Sequence, residues 1–372
     1  MTKTTRCLLC VALICAIALL LPAVRAQAEG ENPTYAYDSA TKTLTITPGT
    51  SGLIGKEIQN ESDYYSKWTK EVEKVIIAGD ISGIGTIGED HNLVDGVFLT
   101  WRKLKEVEYQ GKTQFYVGDY AFYACGELAS FPLEWAVDFG YGAMMQSALE
   151  EVKIPHLQGN IGDCAFWLIT PLKTVDITIE NGQNRNTYIG TKAFASDYSR
   201  VPNLTSVTIR GEGTLEFGPR HPDMDLGQMF SYQTQLETVD LSGFSGDLSF
   251  GSAAFFQDAS LKEIKLNPAS KITYIGYDTF SGCENLDLSS WNFANLTGII
   301  DQAGFGIRSW GDVMYGRGVL SDFTSLDLSN VKEIATFAFT AESEYEGYGY
   351  TKLESVNLSS LERLHSFAFQ GQ

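Results

Sequence analysis

The chain has 372 residues, of which 44% are hydrophobic, and its 46 acidic side chains outnumber its 27 basic ones, so that the formal net charge is −19 at pH 7. Nucleic acids and anionic membranes are bound by clustered Lys and Arg, and a surface of this sign repels both. We therefore exclude nucleic acid as a partner and expect a soluble protein.

The first 28 residues are predicted to be a signal peptide. Lys3 and Arg6 precede an apolar run from Leu8 to Leu21, and Ala26-Gln27-Ala28 supplies the small residues that a signal peptidase needs. The alternative is a membrane anchor, but the run is shorter than the roughly 20 apolar residues of a spanning helix. We predict cleavage after Ala28, no membrane insertion afterwards, and a protein that is secreted or held at the cell surface.

Residues 29–84 do not repeat and are predicted to form a small β-containing N-terminal cap. Residues 34–38 and 42–47 alternate polar and apolar side chains around turn residues, which indicates a hairpin. The first coil of a stacked fold needs a cover for its apolar face, and we expect Trp68 to pack there. The alternative is an independent sugar-binding module.

Two short phrases recur from residue 85 onward. The first is an apolar residue, Gly, two variable residues and Ala-Phe, and its copies, some of them degenerate, begin at Val117, Phe139, Ile161, Ile189, Phe250, Ile275, Ile300, Ile334 and Leu364. The second is Leu-x-x-Val-x-Ile, and its copies begin at Leu104, Leu128, Leu149, Leu172, Leu204, Leu236, Leu261, Phe323 and Leu353. Where nothing is inserted, the Phe precedes the Leu by six residues, as from Phe122 to Leu128. This fixed offset indicates about ten to eleven units over residues 85–372, the last one incomplete.

The spacing of the second phrase predicts a short strand. Both apolar side chains of Val-x-Ile point to one face, because strand side chains alternate. One coil cannot bury that face alone, whereas stacked coils can, so we predict a β-rich leucine-rich-repeat solenoid with a parallel sheet on its concave face. The Gly of the first phrase is expected to let the backbone turn tightly.

The phrases resemble the BspA-like leucine-rich-repeat family of bacterial proteins, whose units read Ile-Gly-x-x-Ala-Phe-x-x-Cys-x-x-Leu-x-x-Val-x-Ile. The resemblance covers about residues 85–372, with drift toward a sister repeat at 280–291 and 325–329. It implies a secreted or surface protein that attaches to host matrix proteins and to other cells.

Three cysteines remain after signal removal, Cys125, Cys164 and Cys283. An odd, sparse set does not make a disulfide framework. Cys125 and Cys283 each follow a repeat Phe by three residues, so they occupy the same position in distant coils, whereas a disulfide needs Cα atoms within about 7 Å. We predict that both are buried and unpaired, the alternative being a reactive thiol.

Two sets of residues are candidates for partner binding. Aromatic insertions interrupt the period, and solenoid insertions often lie on one rim and bind partners. Their candidate residues are Trp310, Tyr315, Tyr345, Tyr348 and Tyr350. A third insertion, residues 211–225, carries His221-Pro-Asp223. The second set is the residue between Val and Ile of each rung, which must face solvent: Glu108, Lys153, Asp176, Thr208, Asp240, Lys265, Asp327 and Asn357. The alternatives are solvated loops and a solvated sheet face.

The sequence contains no catalytic or metal-binding motif that we can identify. His91, His156, His221 and His365 lie far apart, and no phosphate loop, nucleophile elbow or calcium loop occurs. Scattered carboxylates leave a glycosidase pair open, which the repeat disfavours. Glycosylation triplets begin at Asn60, Asn203, Asn295 and Asn357, and we attribute them to chance. We predict a protein that is not an enzyme and uses no cofactor or metal.

Three functions are compatible with these features. The first is adhesion, in which a monomer holds an extracellular or host-surface protein along the sheet and the aromatic insertions. The second is a structural spacer. The third is the targeting region of a larger surface protein or enzyme that continues beyond residue 372. Because the last unit is incomplete, we expect the chain to be a fragment.

Overall fold

The computed structural model describes residues 32–60, 68–88, 91, 96–180, 185–219, 227–302, 304–305, 323–339 and 352–369. Its strands are β1 Thr34–Asp38, β2 Thr43–Thr47, β3 Leu53–Ile54, β4 Lys74–Ile77, β5 Gly83–Ile84, β6 Glu106–Tyr109, β7 Phe115–Val117, β8 Ala136–Phe139, β9 Glu151–Leu157, β10 Thr174–Ile179, β11 Asn186–Ile189, β12 Ser206–Phe217, β13 Thr238–Leu241, β14 Phe244–Phe250, β15 Glu263–Leu266, β16 Lys271–Ile275, β17 Leu296–Ile300, β18 Ser325–Asp327, β19 Glu333–Ile334, β20 Ser355–Asn357 and β21 Arg363–Leu364. The helical elements of the described residues are one α-helical turn, Thr69–Glu71, and 3₁₀ helices at Lys56–Asn60, Leu133–Trp135 and Phe293–Asn295. None of the helices in the described ranges has the length and apolar character that crossing a bilayer requires.

The Leu-x-x-Val-x-Ile phrases form parallel strands in register, as the repeat predicts. Val175 of β10 lies opposite Val152 of β9 and Val207 of β12, and all three side chains are buried. The alternation of side chains makes the apolar residues of each rung face one core and the residues between them face outward. The β-rich, parallel leucine-rich-repeat fold is therefore confirmed.

This first row of strands is interrupted, whereas the sequence predicted one sheet. The order β1-β2-β4-β6 forms one segment, in which β1 is antiparallel to β2, and β9-β10-β12-β13-β15 forms the next. Strands β18 and β20 pair apart from both. The breaks coincide with coils in which a 3₁₀ helix follows the leading Leu, at Leu133–Trp135 and Phe293–Asn295. Local turns at these coils replace the extended backbone that a ladder needs.

A second parallel sheet, which the sequence did not predict, is formed by the residues that lead into each Ala-Phe turn. It runs as β3-β5-β7-β8 and as β11-β12-β14-β16-β17-β19-β21. Parallel bridges from Phe139 to Ile161 and from Ile161 to Ile189 join the two groups. Strand β12 belongs to both rows, because its first half pairs with β10 and β13 and its second half with β11 and β14. Each coil thus has two strand edges, and its apolar interior lies between them.

In most coils the Phe of the Ala-Phe turn stacks on the Phe of the next coil, and Met144 takes this position between Phe122 and Phe166. Ring centroids are 5.1 Å apart for Phe166 and Phe194 and 4.8 Å apart for Phe339 and Phe369. The backbone continues the pattern, since the Phe166 N–H donates to the Ala193 carbonyl at 2.9 Å. The ladder includes Phe98 and Phe230, two copies that the sequence analysis missed. The turns are therefore hydrogen-bonded between coils, as the strands are.

The role predicted for the repeat glycine was wrong. Gly118, Gly162 and Gly276 do not have positive φ; the left-handed residue comes two positions later, as at Tyr120 (φ 52°) and Cys164 (φ 58°). A Cβ on Gly162 would lie 2.7 Å from the carbonyl carbon of Gly140 in the preceding coil. Glycine stands here because successive backbones approach too closely for a side chain, and the tight turn is made elsewhere.

The interpretation of residues 211–225 as a loop insertion was also wrong in its first half. Residues 211–217 belong to β12 and pair with β14, from Gly211 opposite Phe244 to Phe217 opposite Phe250. Extended backbone is favoured here because Leu215 and Phe217 alternate with polar residues and are buried. His221 and Asp223 lie outside the described residues.

The N-terminal region continues the strand pattern across residue 84, where we predicted the end of a cap. Leu44 of β2 lies opposite Val75 of β4, and Val75 lies opposite Val107 of β6. Trp68 packs against the hairpin, with its ring 6.1 Å from Tyr35 and 6.3 Å from Tyr37. The domain boundary itself stays a prediction.

The cysteines are buried and form no disulfide, as predicted for Cys125 and Cys283. The Cys125 thiol donates to the Phe98 carbonyl and the Cys283 thiol to the Phe255 carbonyl, each at 3.0 Å. Both carbonyls belong to the repeat Phe of the preceding coil. Burial raises the pKa of Cys125 to about 12 and that of Cys283 above its usual value. These thiols are core residues.

Candidate functional site

The candidate site on the first strand row is a polar face that spans adjacent strands. Register places Lys153, Asp176 and Thr208 side by side, followed by Asp240 and Lys265. Lys153 and Lys265 are exposed, and the three residues between them are half-buried. Their neighbours along each strand are Val, Ile or Leu side chains that face the core, so the alternation directs these five side chains outward. We call these five residues the strand face.

The other predicted members of the row lie in separate segments. Glu108 is in β6, half-buried, and Asp327 and Asn357 are opposite each other in β18 and β20 and exposed. The Asn357 amide donates to the Asp327 carboxylate at 3.1 Å. The structure thus brings five of the eight row residues into one sheet, and places three outside it.

Charges on and beside the first row are paired between neighbouring coils. Lys74 lies 3.0 Å from Glu106 and 2.7 Å from Glu108, and Arg210 pairs with Asp176. Hydrogen bonds from Lys74 and Gln110 lower the pKa of Glu108. Because these pairs lie at the surface, each contributes little to stability, and their main effect is to neutralise the face.

Residues of opposite charge also pair between coils at the position just before the strands of the first row, although this position is uncharged at Ala129 and Thr205. Glu73 lies between Lys42 (2.5 Å) and Lys105 (2.6 Å), and these two lysines, Lys105 foremost, hold its pKa at about 2. The same alternation recurs as Glu150 with Lys173 at 2.7 Å and as Glu237 with Lys262 at 3.1 Å. Opposite charges in successive coils favour one stacking order, since a shift by one unit would oppose like charges.

The predicted aromatic candidates Trp310, Tyr315, Tyr345, Tyr348 and Tyr350 lie outside the described residues. The described part of the chain contains another exposed aromatic loop, around Tyr198, that the sequence analysis did not select. The sequence does indicate an insertion here, because the repeat Phe194 precedes Leu204 by ten residues whereas the uninterrupted spacing is six.

The described residues contain no group of three or more His, Cys, Asp or Glu side chains that could hold a metal ion. The described histidines each contact a carboxylate, His91 at 2.9 Å from Asp119, His156 at 2.9 Å from Glu180 and His365 at 2.8 Å from Glu333. These contacts join neighbouring coils.

Comparison with known proteins gives the following similarities. The family model described as BspA type leucine rich repeat region matches residues 92–214 and 226–307, in six copies and over more than half of the chain. No match was found among curated proteins.

Solved structures of bacterial leucine-rich-repeat proteins are similar over nearly the whole chain. A leucine rich cell surface protein from Faecalibacterium prausnitzii A2-165 is 17% identical, with 92% of this chain and 96% of that chain covered and a TM-score of 0.32. A leucine-rich repeat protein from Bacteroides ovatus is 15% identical, with coverage of 91% and 100% and a TM-score of 0.27. The pneumococcal vaccine antigen PcpA is 14% identical, with coverage of 92% and 88% and a TM-score of 0.30.

Proposed function

Because this chain belongs to the BspA type leucine-rich-repeat family, we propose that it is a secreted or cell-surface protein that binds an extracellular or host-surface protein, acting as an adhesin. The observation that carries the proposal is the strand face, whose polar residues lie in register on five parallel strands. A rigid sheet positions such side chains before a partner arrives, which lowers the entropy lost on binding.

The strand face is too small to form a standard protein interface alone. Five strands about 4.8 Å apart and about 15 Å long cover about 350 Å², whereas each partner in a standard interface buries about 800 Å². We propose that Trp310, Tyr315, Tyr345, Tyr348 and Tyr350 enlarge the contact, because aromatic residues are the commonest interface anchors. The net negative charge favours a partner with a basic patch and makes association salt-sensitive.

The test is binding of residues 29–372 to immobilised extracellular-matrix proteins and mucins. Asp176→Lys with Asp240→Lys reverses two acidic charges of the strand face and is expected to weaken binding to a partner with a basic patch at least about tenfold. The control, Asp247→Lys, makes one such change at an exposed position of the second sheet and should leave binding unchanged. Trp310→Ala with Tyr315→Ala tests the insertions separately. Binding that is insensitive to all of these variants would contradict the proposed surface.

A structural spacer, or the targeting region of a larger surface protein or enzyme, is the second candidate. The observation that favours it is the pairing of charges on the first strand row, as between Arg210 and Asp176, which leaves fewer groups to attract a partner. If the chain binds none of the matrix proteins or mucins, the spacer function is the better explanation.

A further inference from the structure

The loop between Phe194 and Leu204 carries the two most exposed large hydrophobic side chains of the described residues. Tyr198 is 89% exposed and Val201 is 72% exposed. Neither side chain contributes to the core at that exposure, so folding does not account for them. Single exposed apolar residues are ordinary, whereas two that project from one short loop offer a partner an apolar contact surface.

Hydrogen bonds hold this loop in one shape. The Asp197 carboxylate accepts from the Ser199 N–H at 2.8 Å and from the Ser199 hydroxyl at 2.5 Å, and Arg200 lies 3.6 Å from it. The hydrogen bond from the Ser199 hydroxyl, foremost among several contacts, lowers the pKa of Asp197, so the carboxylate is ionised at neutral pH. A loop that is already ordered loses less entropy when it binds.

Both ends of the loop are tied to neighbouring coils. At its start the Ser196 N–H donates to the Ser231 carbonyl at 3.0 Å, in the following coil. At its end the Asn203 amide donates to the Thr170 carbonyl at 3.0 Å, in the preceding coil. Tyr198 therefore projects from a fixed base.

Aromatic and apolar side chains flank the loop on both sides. In the preceding coil Trp167 is half-buried, and the Leu168 N–H donates to the Ala195 carbonyl at 3.1 Å. In the following coil Tyr232 is half-buried and packs 5.6 Å from the Phe256 ring. We call Tyr198 and Val201, together with Trp167 of the preceding coil and Tyr232 of the following coil, the Tyr198 knuckle.

The charge beside the knuckle differs from that of the whole chain. Lys192 lies over the Trp167 ring at 5.7 Å and forms no ion pair within the described residues. Arg200 is the second cation, and Asp197, its partner, is the one carboxylate of the loop. In a chain with a net charge of −19, a neutral to basic aromatic patch is complementary to an acidic, apolar surface.

We infer that the Tyr198 knuckle is a docking site for an extended protein segment that carries aromatic or aliphatic side chains next to carboxylates. The inference rests on the proposed protein-binding function and adds a surface and a partner chemistry to it. Tyr198 and Val201 would contact the apolar side chains of the segment, while Lys192 and Arg200 would face its carboxylates. Asp197 acts as a positioning residue, because it fixes the turn and need not touch the partner.

The experiment selects binders from a displayed library of random dodecapeptides on residues 29–372. We expect the selected peptides to combine Asp or Glu with aromatic or aliphatic residues. Tyr198→Ser with Val201→Ser should weaken their binding at least about tenfold, as expected for the loss of an aromatic anchor. The control Ile299→Ser removes an exposed apolar side chain from β17 and should bind as the wild type does.

The Asp197 variants test the rigidity of the loop. Asp197→Ala should weaken binding although Tyr198 remains, whereas Asp197→Asn keeps an oxygen that accepts from Ser199 and should restore it. Circular dichroism that matches the wild type shows that the fold of each variant is intact.

Several outcomes would overturn the inference. Selected peptides that bind the Tyr198→Ser, Val201→Ser variant unchanged, or that are basic, contradict the site or its chemistry. Failure to select any peptide also counts against it. Peptides whose binding depends on Lys153 and Lys265 alone would contradict the proposed site at the Tyr198 knuckle. They would leave the proposed protein-binding function uncontradicted. Glycan binding that Tyr198→Ser abolishes would assign the loop to sugar instead.

Discussion

Val175 shows how completely the repeat determines the environment of one side chain. It is 2% exposed and lies between Val152 and Val207 in the ladder. Val175→Asp would place an unpaired charge among apolar groups, and we expect a loss of more than about 3 kcal/mol of stability. Thr174→Asp, one residue earlier and half-buried on the outer face, should cost much less. Urea unfolding of both variants measures the difference, and equal stabilities would mean that the register is wrong.

Asp258 is a buried carboxyl beside the Cys283 thiol, at the position that the repeat gives to Cys. One of its oxygens accepts from the Gln233 N–H at 2.8 Å, and the other, Oδ2, is buried with no hydrogen-bond partner among the described residues. Burial raises the pKa of Asp258 well above its usual value of 3.8. The folded chain therefore favours the protonated acid, and ionisation opposes folding.

The sign of this effect gives a pH-dependent prediction for Asp258→Asn. Below the unfolded pKa near 3.8 the wild type is protonated in both states, and above it the folded state alone must keep the proton, so the wild type loses stability as the pH rises. The Asp258→Asn side chain carries no charge at any of these pH values. The stability of the variant relative to the wild type should therefore increase as the pH rises from about 4 to 7. Urea titrations across this range test it, and a stability difference independent of pH would contradict it.

At the scale of the element, the close approach of coils depends on glycine. A Cβ on Gly276 would lie 2.6 Å from both the carbonyl carbon of Gly251 and the nitrogen of Ser252, which are backbone atoms that cannot move aside. We expect Gly276→Ala to destabilise the chain by about 2 kcal/mol or more, since the coils would have to separate. Gly126→Ala is the matched control, because its nearest neighbour would be 4.0 Å away, and it should be nearly neutral by thermal melting.

The sequence predicted the elements whose apolar residues recur at a fixed spacing. The Leu-x-x-Val-x-Ile strands, the buried cysteines and the outward direction of Lys153 and Asp176 all follow from side-chain alternation at a fixed period. The second sheet was missed because most of its strands have only two to five residues, and because no leading Leu marks them. The copies ending in Phe98 and Phe230 were missed because Val97 and Met229 replace the repeat Ala. Whether the strand face or the Tyr198 loop meets a partner depends on chemistry that the repeat does not encode.

At the scale of the whole molecule, stacking should make the chain long. Each coil adds about 4.8 Å along the stack, so ten to eleven coils extend over about 50 Å in one direction. We expect small-angle scattering of residues 29–372 to give an asymmetric pair-distance distribution. A symmetric distribution would contradict the stacked arrangement.

The hydrogen bonds between coils have a mechanical consequence. They run along the stack in both sheets and in the Phe turns, as from Phe339 to the Ala368 carbonyl at 2.8 Å. A force that pulls the two ends of the stack apart loads these bonds one coil after another, so the outermost coil should peel away before the next one yields. The chain should therefore lengthen in steps of one coil, and the coils should stack again when the force is removed. A force across the stack must instead shear all the bonds of a strand at once. The stack should therefore extend gradually under a force along its length and resist a force across it.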